Sequence, residues 1–386
     1  MSSKVFDYII IGAGASGLHM ALAMSRDSFF DDKSIGIIEK VIEKTNDKTW
    51  SFWEEGPGQY DHILYNSWNK GHFKSLGKTI AFDLKSYRYK MLKSIDFYKY
   101  AFSEIERRSN ISIISDSIIG LEERHDRVIV KSNLNEYIAS HVFDSRLPKN
   151  FSPENSINIL QHFKGWFIES ESEVFDPTRF CMMDYNETKT PETAFMYILP
   201  FSKKRALVEY TYFTPNLVDD ETYEKELKSY IKDVLNITSF KIEEVEKGII
   251  PMTSYPFHTD SSNRITKIGT SGGWVKPSTG YSFKNAERFS LKVIENLKTN
   301  QNPTHKLFRK RYKHYDKMFL YVLSQHNDYG QTLFYNMYSR NNIRDIFRFL
   351  DEKSSFVKEL QIMATMTSYY FIKAFFKHAF NGFKLR

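Results

Sequence analysis

One glutamate stands out in this 386-residue chain, because Glu209 lies within the apolar and aromatic run ALVEYTYF at 206–213. If the run is a β-strand, Glu209 shares one face with Leu207, Thr211 and Phe213, since side chains alternate along a strand. Glutamate is a poor strand residue, and a buried carboxyl group must either be paired or hold a proton. Glu209 is therefore a candidate acid. The alternative is a glutamate on the wet side of a half-exposed strand.

A glycine-rich loop near the N-terminus has the spacing of a nucleotide-binding site. Gly12, Gly14 and Gly17 form G-x-G-x-x-G between an apolar strand and a helix. The first glycine of this motif allows a tight turn, the second lets a pyrophosphate approach, and the third lets helix and strand pack closely. The helix N-terminus offers N–H groups to the phosphates, and an acid in the position of Glu39 can bind the ribose hydroxyls. A chance glycine turn is the alternative.

A second glycine cluster lies far downstream, in the segment IGTSGGWVKPSTGY at 268–281. Gly272 and Gly273 follow a strand and precede a helix, an arrangement that can aim backbone N–H groups at the pyrimidine edge of a flavin. Two widely separated contacts suit an extended FAD better than NAD, so FAD is the predicted cofactor. Thr270 stands where many flavoproteins carry an acid, and no acid contact to the ribitol is expected.

The elements that position these residues follow from hydrophobic periodicity. An apolar strand at 5–11, a helix at about 15–26 and a buried strand at 34–39 make one βαβ unit. Helical spacing predicts a helix at 86–108, and alternation predicts strands at 111–146 and through most of 160–255. A helix is predicted at about 283–297, and the chain is predicted to be helical after Pro303.

These elements predict a mixed α/β (α+β) fold. A Rossmann-like FAD-binding domain is interrupted by a β-sheet substrate domain and followed by a helical C-terminal region. The FAD-binding domain is predicted to comprise residues 1–150, completed by 265–298. The substrate domain then spans 151–264, and the helical region spans 299–386.

Composition and charge narrow the classes of function. The chain has 54 Lys and Arg against 47 Asp and Glu, and the resulting net charge of +7 is spread along its length. No nucleic-acid-binding motif accompanies this charge, so no nucleic acid partner is expected. Cys181 is the only cysteine, which leaves neither a disulfide framework nor a cysteine-based metal site, and no metal is predicted.

The sequence also bears on membranes. No apolar run approaches the roughly 18 residues of a spanning helix, and no signal peptide is visible, so a cytoplasmic protein that is peripheral to a membrane is expected. The segment YYFIKAFFKHAFNGFKLR at 369–386 reads as a basic, aromatic amphipathic helix that can lie among lipid headgroups. Packing of its apolar stripe against the protein itself is the alternative. The oligomeric state is left open.

The chain resembles the lycopene cyclase family of FAD-binding carotenoid enzymes. The resemblance runs from residue 7 to about residue 290 and leaves residues 300–386 without a matching motif. The glycine loop is generic to flavoproteins, whereas the TWSFW, LVEYT and GGWVKPSTGY motifs are much more specific. The matching segments are DYIIIGAGASGLHMALAM (7–24), KTWSFWE (48–54), VFDSR (142–146), MMDYN (182–186), YILPFSKKRALVEYTYF (197–213), GIIPMT (248–253) and GTSGGWVKPSTGY (269–281).

The resemblance implies a function and several roles. Family members isomerise the linear ends of lycopene into rings without net oxidation, with reduced FAD, and NAD(P)H is expected only to prime the flavin. By resemblance Glu209 is the acid required for catalysis. Asp184 in MMDYN also lies in an apolar run and is a candidate second acid or a residue that orients Glu209, with a turn aspartate before Asn186 as the alternative. Trp50, Phe52 and Trp53 are expected either to line the polyene site or to pack against the nucleotide-binding domain.

The resemblance therefore predicts a lycopene cyclase that forms rings, expected to be β-ionone rings, on lycopene or a related linear carotenoid taken from a membrane surface. An FAD-dependent monooxygenase or polyprenyl reductase acting on a lipophilic substrate is the main alternative. A carotenoid-binding protein without catalysis is another. Whether one or both ends cyclise is left open.

Overall fold

The computed structural model describes residues 4–133, 135–148, 156–186 and 190–374. These residues form a mixed α/β fold, which confirms the predicted fold class. The β-strands are β1 Lys4–Ile11, β2 Ile35–Glu39, β3 Thr49–Glu55, β4 Asn66–Trp68, β5 Lys70–Ser75, β6 Lys78–Asp83, β7 Tyr87–Lys93, β8 Ile111–Ser115, β9 Ile118–Glu123, β10 Val128–Ser132, β11 Glu136–Asp144, β12 Asn158–Ser170, β13 Arg179–Asp184, β14 Ala194–Pro200, β15 Arg205–Thr214, β16 Phe240–Thr253 and β17 Ile265–Lys267.

The helices connect and cover these strands. Short 3-10 turns also occur, including one at Gly269–Gly272, and a π-helical turn spans Tyr230–Val234. The α-helices are α1 Ala15–Ser25, α2 Ser94–Ile105, α3 Asp220–Ser229, α4 Phe283–Lys298, α5 Lys310–Gln325, α6 Gly330–Arg340, α7 Ile343–Leu350 and α8 Phe356–Met366.

The chain divides into two compact units, of which the first comprises Met1–Trp50, Lys93–Ser156 and Tyr255–Lys310. Its sheet has the strand order β8-β2-β1-β11-β10-β9, and β17 pairs with the end of β11. β1 is parallel to both β2 and β11, as the apolar run predicted for the middle of a parallel sheet. The predicted βαβ unit is confirmed by β1, α1 and β2.

The second unit comprises Ser51–Leu92, Ile157–Ser254 and Arg311–Arg386. Its larger sheet has the order β16-β12-β15-β14-β13-β5-β6, and β3, β7 and β4 form a smaller sheet. β15 lies between β12 and β14 and is antiparallel to both. One face of the larger sheet packs against α3 and the π-helical turn in an apolar core that includes Trp166, Val208, Tyr210, Tyr223 and Leu227.

The helix predicted at 86–108 is wrong in its first part. β7 occupies Tyr87–Lys93, and α2 begins only at Ser94. Tyr87 and Tyr89 are buried and flank the exposed Arg88, so β7 begins with the alternation of a strand, and its next residues up to Leu92 are all buried.

A helix also interrupts the region that was predicted to be mostly strand at 160–255. α3 begins after Asp219, whose carboxylate caps the helix by accepting a hydrogen bond of 2.7 Å from the backbone N–H of Thr222. Lys164 of β12 extends its ammonium group to Glu224 of α3 at 2.8 Å, and this ion pair ties the helix to the sheet. The capping aspartate was a helix signal in the sequence that the strand prediction did not use.

The helical character predicted after Pro303 is confirmed for the described residues by α5 to α8. The carboxylate of Glu359 in α8 is buried and accepts hydrogen bonds from Tyr312 at 2.6 Å and Arg311 at 2.9 Å, both in α5. Among the described residues no helix is both long enough and apolar enough to cross a bilayer. The predicted domain boundaries stay a prediction, although residues 51–92 group with the second unit rather than with 1–50.

Candidate functional site

The N-terminal glycine loop has the geometry of a phosphate cradle. Gly12 has a φ of 97°, and a side chain there would collide with Ser145. A Cβ at Gly17 would collide with the carbonyl oxygen of Gly12, so the first turn of α1 packs directly on the loop. Gly14 has open space on the side where a Cβ would lie. The loop is therefore tight at its first and third glycines and open at its second.

Glu39 ends β2 beside this loop. Its carboxylate accepts a hydrogen bond of 2.6 Å from the backbone N–H of Ala13 and pairs with Lys44 at 3.1 Å. Burial opposes ionisation of this carboxyl group, but the Ala13 amide and Lys44 outweigh it and hold the pKa of Glu39 below its usual value. Glu39 is thus a fixed anion at the edge of the loop, as its predicted role toward a ribose requires.

The second glycine cluster forms a turn beside the same loop. A Cβ at Gly269 would lie 3.0 Å from the hydroxyl oxygen of Ser16 in α1. Gly273 ends the 3-10 turn with a φ of 71°, and a Cβ at Gly272 would collide with the carbonyl oxygen of Lys267. Gly272 and Gly273 thus let the chain turn tightly here, next to the N-terminus of α1.

Asp144 of the VFDSR segment holds this second turn in place, and the sequence did not predict that role. Its buried carboxylate pairs with Lys267 at 2.8 Å and with Arg146 at 2.8 Å. Its carbonyl oxygen accepts hydrogen bonds from the hydroxyl of Ser271 and from the backbone N–H of Ile268, both at 3.1 Å. The end of β11 therefore anchors both ends of the turn that carries Gly272.

These features fit a dinucleotide cofactor. The N-terminus of α1 has no acidic residue in its first turn and no side chain capping it, so its backbone N–H groups are suited to a phosphate. The open side of Gly14 lies at this helix terminus, and Glu39 lies at the loop. The first unit contains each of the predicted cofactor residues, Gly12, Gly14, Gly17, Glu39, Gly272 and Gly273.

The aromatic residues of TWSFW have different surroundings. Trp50 stacks on Phe283 with ring centroids 4.9 Å apart and meets Phe97 edge-on at 5.5 Å, so it packs within the nucleotide-binding unit. Trp53 stacks on Phe347 of α7 at 4.5 Å in the second unit. For Trp50 the structure therefore favours the packing alternative over a place in a polyene site.

Glu209 lies near the middle of β15, whose residues from 206 to 214 are all buried. It is opposite Gly165 of β12 and Tyr197 of β14 in the sheet register. A Cβ at Gly165 would lie 3.1 Å from the Cβ of Glu209 and 2.9 Å from a methyl carbon of Leu207. The glycine thus makes room for the glutamate, and a glycine inside a strand is a recognised signal of such close approach.

The surroundings of Glu209 favour its neutral form. The residue is 8% exposed, and burial raises its pKa to about 8 from the usual 4.5. The negative charge of Glu246 on β16 raises the pKa further, while a hydrogen bond from Thr211 opposes the rise. Glu246 is opposite Gly165 in the register, so Glu209 and Glu246 flank this glycine across three neighbouring strands. Burial and the neighbouring charge thus favour the protonated form of Glu209, which is the form that a candidate acid requires.

Thr211 and Gly165 were missed as site residues by the sequence reasoning. The hydroxyl of Thr211 donates a hydrogen bond of 2.7 Å to Oε1 of Glu209. Its place two residues along the same strand was a usable signal, because positions i and i+2 share a face. Gly165 and Glu246 could not be found in this way, since nothing in the sequence fixes which strands lie beside β15.

Asp184 does not approach Glu209, so its predicted role as a second acid or orienting residue is not supported. It is opposite Met196 of β14, whereas Glu209 is opposite Tyr197, and adjacent residues of a strand point to opposite faces. Asp184 is 2% exposed. Its carboxylate accepts a hydrogen bond of 2.7 Å from the hydroxyl of Tyr230 and forms an ion pair with Lys74 at 3.1 Å. Its carboxylate links the sheet to the π-helical turn on the face away from Glu209.

Comparison with protein families gives a match over nearly the whole chain. The family model described as "Lycopene cyclase protein" matches residues 7–377. This chain belongs to the lycopene cyclase family. The match also extends over most of the helical C-terminal region, where the sequence offered no recognisable motif.

Curated relatives are carotenoid enzymes of plants. A chloroplastic neoxanthin synthase of Solanum lycopersicum is 26% identical over 303 residues, covering 72% of this chain and 57% of the relative. A chloroplastic lycopene beta cyclase of Arabidopsis thaliana is 26% identical over 300 residues, with the same coverage of 72% and 57%. The match therefore spans little more than half the length of these relatives.

Solved structures of flavoproteins share the fold of this family member. A geranylgeranyl bacteriochlorophyll reductase-like protein from Thermoplasma acidophilum superposes with a TM-score of 0.61 at 10% identity, covering 97% of this chain and 96% of the other. A flavoprotein/dehydrogenase from Cytophaga hutchinsonii gives a TM-score of 0.62 at 11% identity, covering 94% and 99%. At such identities the likeness establishes the fold, which is the fold of FAD-dependent flavoproteins.

Proposed function

We propose that this protein is a lycopene cyclase that closes β-ionone rings at the ends of lycopene or a related linear carotenoid, without net oxidation. The observation that carries the proposal is Glu209, a glutamate buried in a strand that is otherwise apolar and aromatic, with a pKa of about 8. Membership of the family supports a carotenoid cyclase, and the ring type rests on the lycopene beta cyclase relative.

The chemistry explains why such an acid is needed. An alkene is a very weak base, so its protonation requires a well-placed acid that is kept from water. Glu209 gives its proton to a terminal carbon of the polyene, and the π electrons of that double bond form the new C–H bond. The neighbouring double bond attacks the resulting carbocation and closes the ring. A different proton is then lost from the ring, so the product is an isomer of the substrate.

The residues of the first unit support FAD as the cofactor of this reaction. The α1 N-terminus and Gly14 would hold the pyrophosphate, Glu39 would hold the ribose, and the turn at Gly272 would approach the flavin ring. When bound in its reduced, anionic form, the flavin supplies negative charge that stabilises a developing carbocation. NAD(P)H is proposed only as the reductant that prepares this form.

Substitution of Glu209 tests the assignment. Glu209→Gln keeps the shape of the side chain and removes the transferable proton, so we expect cyclisation to fall by about two to four orders of magnitude while FAD content is unchanged. Product chromatography after expression in lycopene-producing cells gives the ring type and the rate. Glu169→Gln, which removes an exposed carboxyl group from neighbouring β12, is the matched control. Near-normal turnover by Glu209→Gln with FAD bound would refute the proposal.

Reductant consumption separates the cyclase from a redox enzyme with the same fold. A non-redox cyclase needs one reduction of its FAD to form many rings under anaerobic conditions. A monooxygenase or a polyprenyl reductase consumes about one reductant for each product. The measurement is reductant oxidised per ring formed, and a ratio near one would favour the redox alternative.

We also propose that the enzyme collects its substrate at a membrane surface through its C-terminal segment. Residues 369–374 are helical, and Tyr369 and Ile372 are 71% and 49% exposed. The remainder of the predicted amphipathic helix, 375–386, lies outside the described residues. Flotation with liposomes, with and without anionic lipid, should be weaker for a chain ending at Tyr369 than for the full chain. Equal flotation of a shortened chain that retains FAD would exclude the tail as the anchor.

A further inference from the structure

The hydroxyl group of Thr211 contacts one of the two carboxyl oxygens of Glu209. We infer that Thr211 is a positioning residue that determines which oxygen of Glu209 carries the transferable proton. The inference rests on the proposed role of Glu209 as the acid. It assigns the proton to Oε2, because Oε1 is already engaged by Thr211.

The contact is well defined. Thr211 is 1% exposed, and its Oγ1 lies 2.7 Å from Oε1 of Glu209 on the same face of β15. Threonine is branched at Cβ, so its χ1 is restricted and its hydroxyl has few alternative positions. Both groups are carried by one strand that is hydrogen-bonded on both sides, which holds them at a fixed separation.

The ionised state of Glu209 fixes the direction of this hydrogen bond. After proton transfer Glu209 is a carboxylate, which can only accept, so Thr211 must then be the donor. If Thr211 also donates to Oε1 before transfer, the bond stays unchanged through the reaction and the proton is on Oε2. During transfer the Oε2–H bond breaks, its electron pair stays on the carboxylate, and the proton forms a C–H bond with the alkene carbon.

Other residues lie opposite Glu209 or next to it in the sheet. Gly165 of β12 has no side chain, and Tyr197 of β14 shares a hydrogen bond of 2.7 Å between its hydroxyl and that of Tyr89. Glu246 of β16 is itself an acid, and its charge raises the pKa of Glu209. Thr211 is the neighbour whose hydrogen bond lowers that pKa, as a donor to the carboxylate must.

Thr211→Val tests the inference, with Thr211→Ser as the control that keeps the hydroxyl. For Thr211→Val we expect the maximal cyclisation rate to fall about five- to tenfold, which corresponds to one hydrogen bond. Loss of the donor also destabilises the carboxylate, so the fall of activity at alkaline pH should move to higher pH by about one unit. If the substitution instead loosened the site and admitted water, the pKa of Glu209 would fall and the loss of activity at alkaline pH would move to lower pH. Thr211→Ser should stay near the parent protein in both respects.

A spectroscopic measurement separates this inference from the proposed function. The infrared C=O band of protonated Glu209 is identified as the band that Glu209→Gln lacks, and it should move to higher frequency in Thr211→Val and return in Thr211→Ser. A band and an alkaline limb that do not move in Thr211→Val would overturn the inference while leaving Glu209 as the acid. Normal cyclisation by Glu209→Gln would refute the proposed function itself. If Thr211→Val fails to fold, Thr211→Ala is measured in the same way.

Discussion

The buried proton of Glu209 should make the stability of this protein depend on pH in an unusual direction. In the folded chain Glu209 holds its proton up to about pH 8, whereas in the unfolded chain it loses it near its usual pKa of 4.5. Between these values the unfolded state binds fewer protons than the folded state. A rise in pH therefore favours unfolding, and the contribution of Glu209 to stability is complete below about pH 4.5 and lost above about pH 8.

The size of the effect follows from the two pKa values. Each pH unit between them is worth roughly 1.4 kcal/mol, so the full difference is about 5 kcal/mol. About half of this, roughly 2.5 kcal/mol, falls between about pH 5 and pH 7. Glu209→Gln carries no titrating group, so its free energy of unfolding should rise relative to the parent protein by these amounts over the same ranges.

The measurement is equilibrium urea unfolding of both proteins at several values between about pH 5 and pH 9, with equal FAD content. Subtraction of the two curves removes the titration of all other groups. Glu169→Gln, which removes an exposed carboxyl group from neighbouring β12, is measured alongside as the matched control. A difference between Glu209→Gln and the parent that stays constant over this range would mean that the folded site ionises without penalty. The reasoning that Glu209 stores a proton would then fail.

Three further substitutions test the neighbours of the two sites. Glu246→Gln removes a like charge, so the pKa of Glu209 should fall and the alkaline limb of the pH–rate profile should move to lower pH. An alkaline limb that does not move would contradict the interaction of the two carboxyl groups across Gly165. Gly165→Ala would bring a methyl group to within 3.1 Å of the Cβ of Glu209, so the free energy of unfolding measured in urea should fall by about 1–3 kcal/mol. An unchanged unfolding midpoint would refute the close approach. In Gly17→Ala the new methyl group would collide with the carbonyl oxygen of Gly12, so the purified protein should lose most of its flavin absorbance. Full retention of the flavin absorbance would exclude the proposed phosphate cradle.

Local features of the sequence determined much of the nucleotide-binding unit. The apolar run of β1, the spacing of Gly12, Gly14 and Gly17, and the acid at Glu39 lie close together in the chain, and the structure assembles them as expected. Backbone constraints at glycines and the alternation of side chains in a strand act over a few residues, so they can be read without knowing the fold. The same alternation identified the residues that share a face with Glu209, but it left open whether that face is buried, and the structure decides for burial.

Only the tertiary structure decided what surrounds that glutamate. Gly165 and Glu246 are far from Glu209 in sequence and meet it through the register of β12, β15 and β16. The register of β13, β14 and β15 carries Asp184 to the opposite face, although its apolar sequence context had suggested a partner for the acid. A shift of one residue in strand pairing exchanges the two faces of a sheet, and the sequence of a single strand does not specify its partners. Glu209 was therefore recognisable as a candidate acid from its own strand and from the family resemblance, whereas its pKa and its neighbours depend on the packing of distant strands.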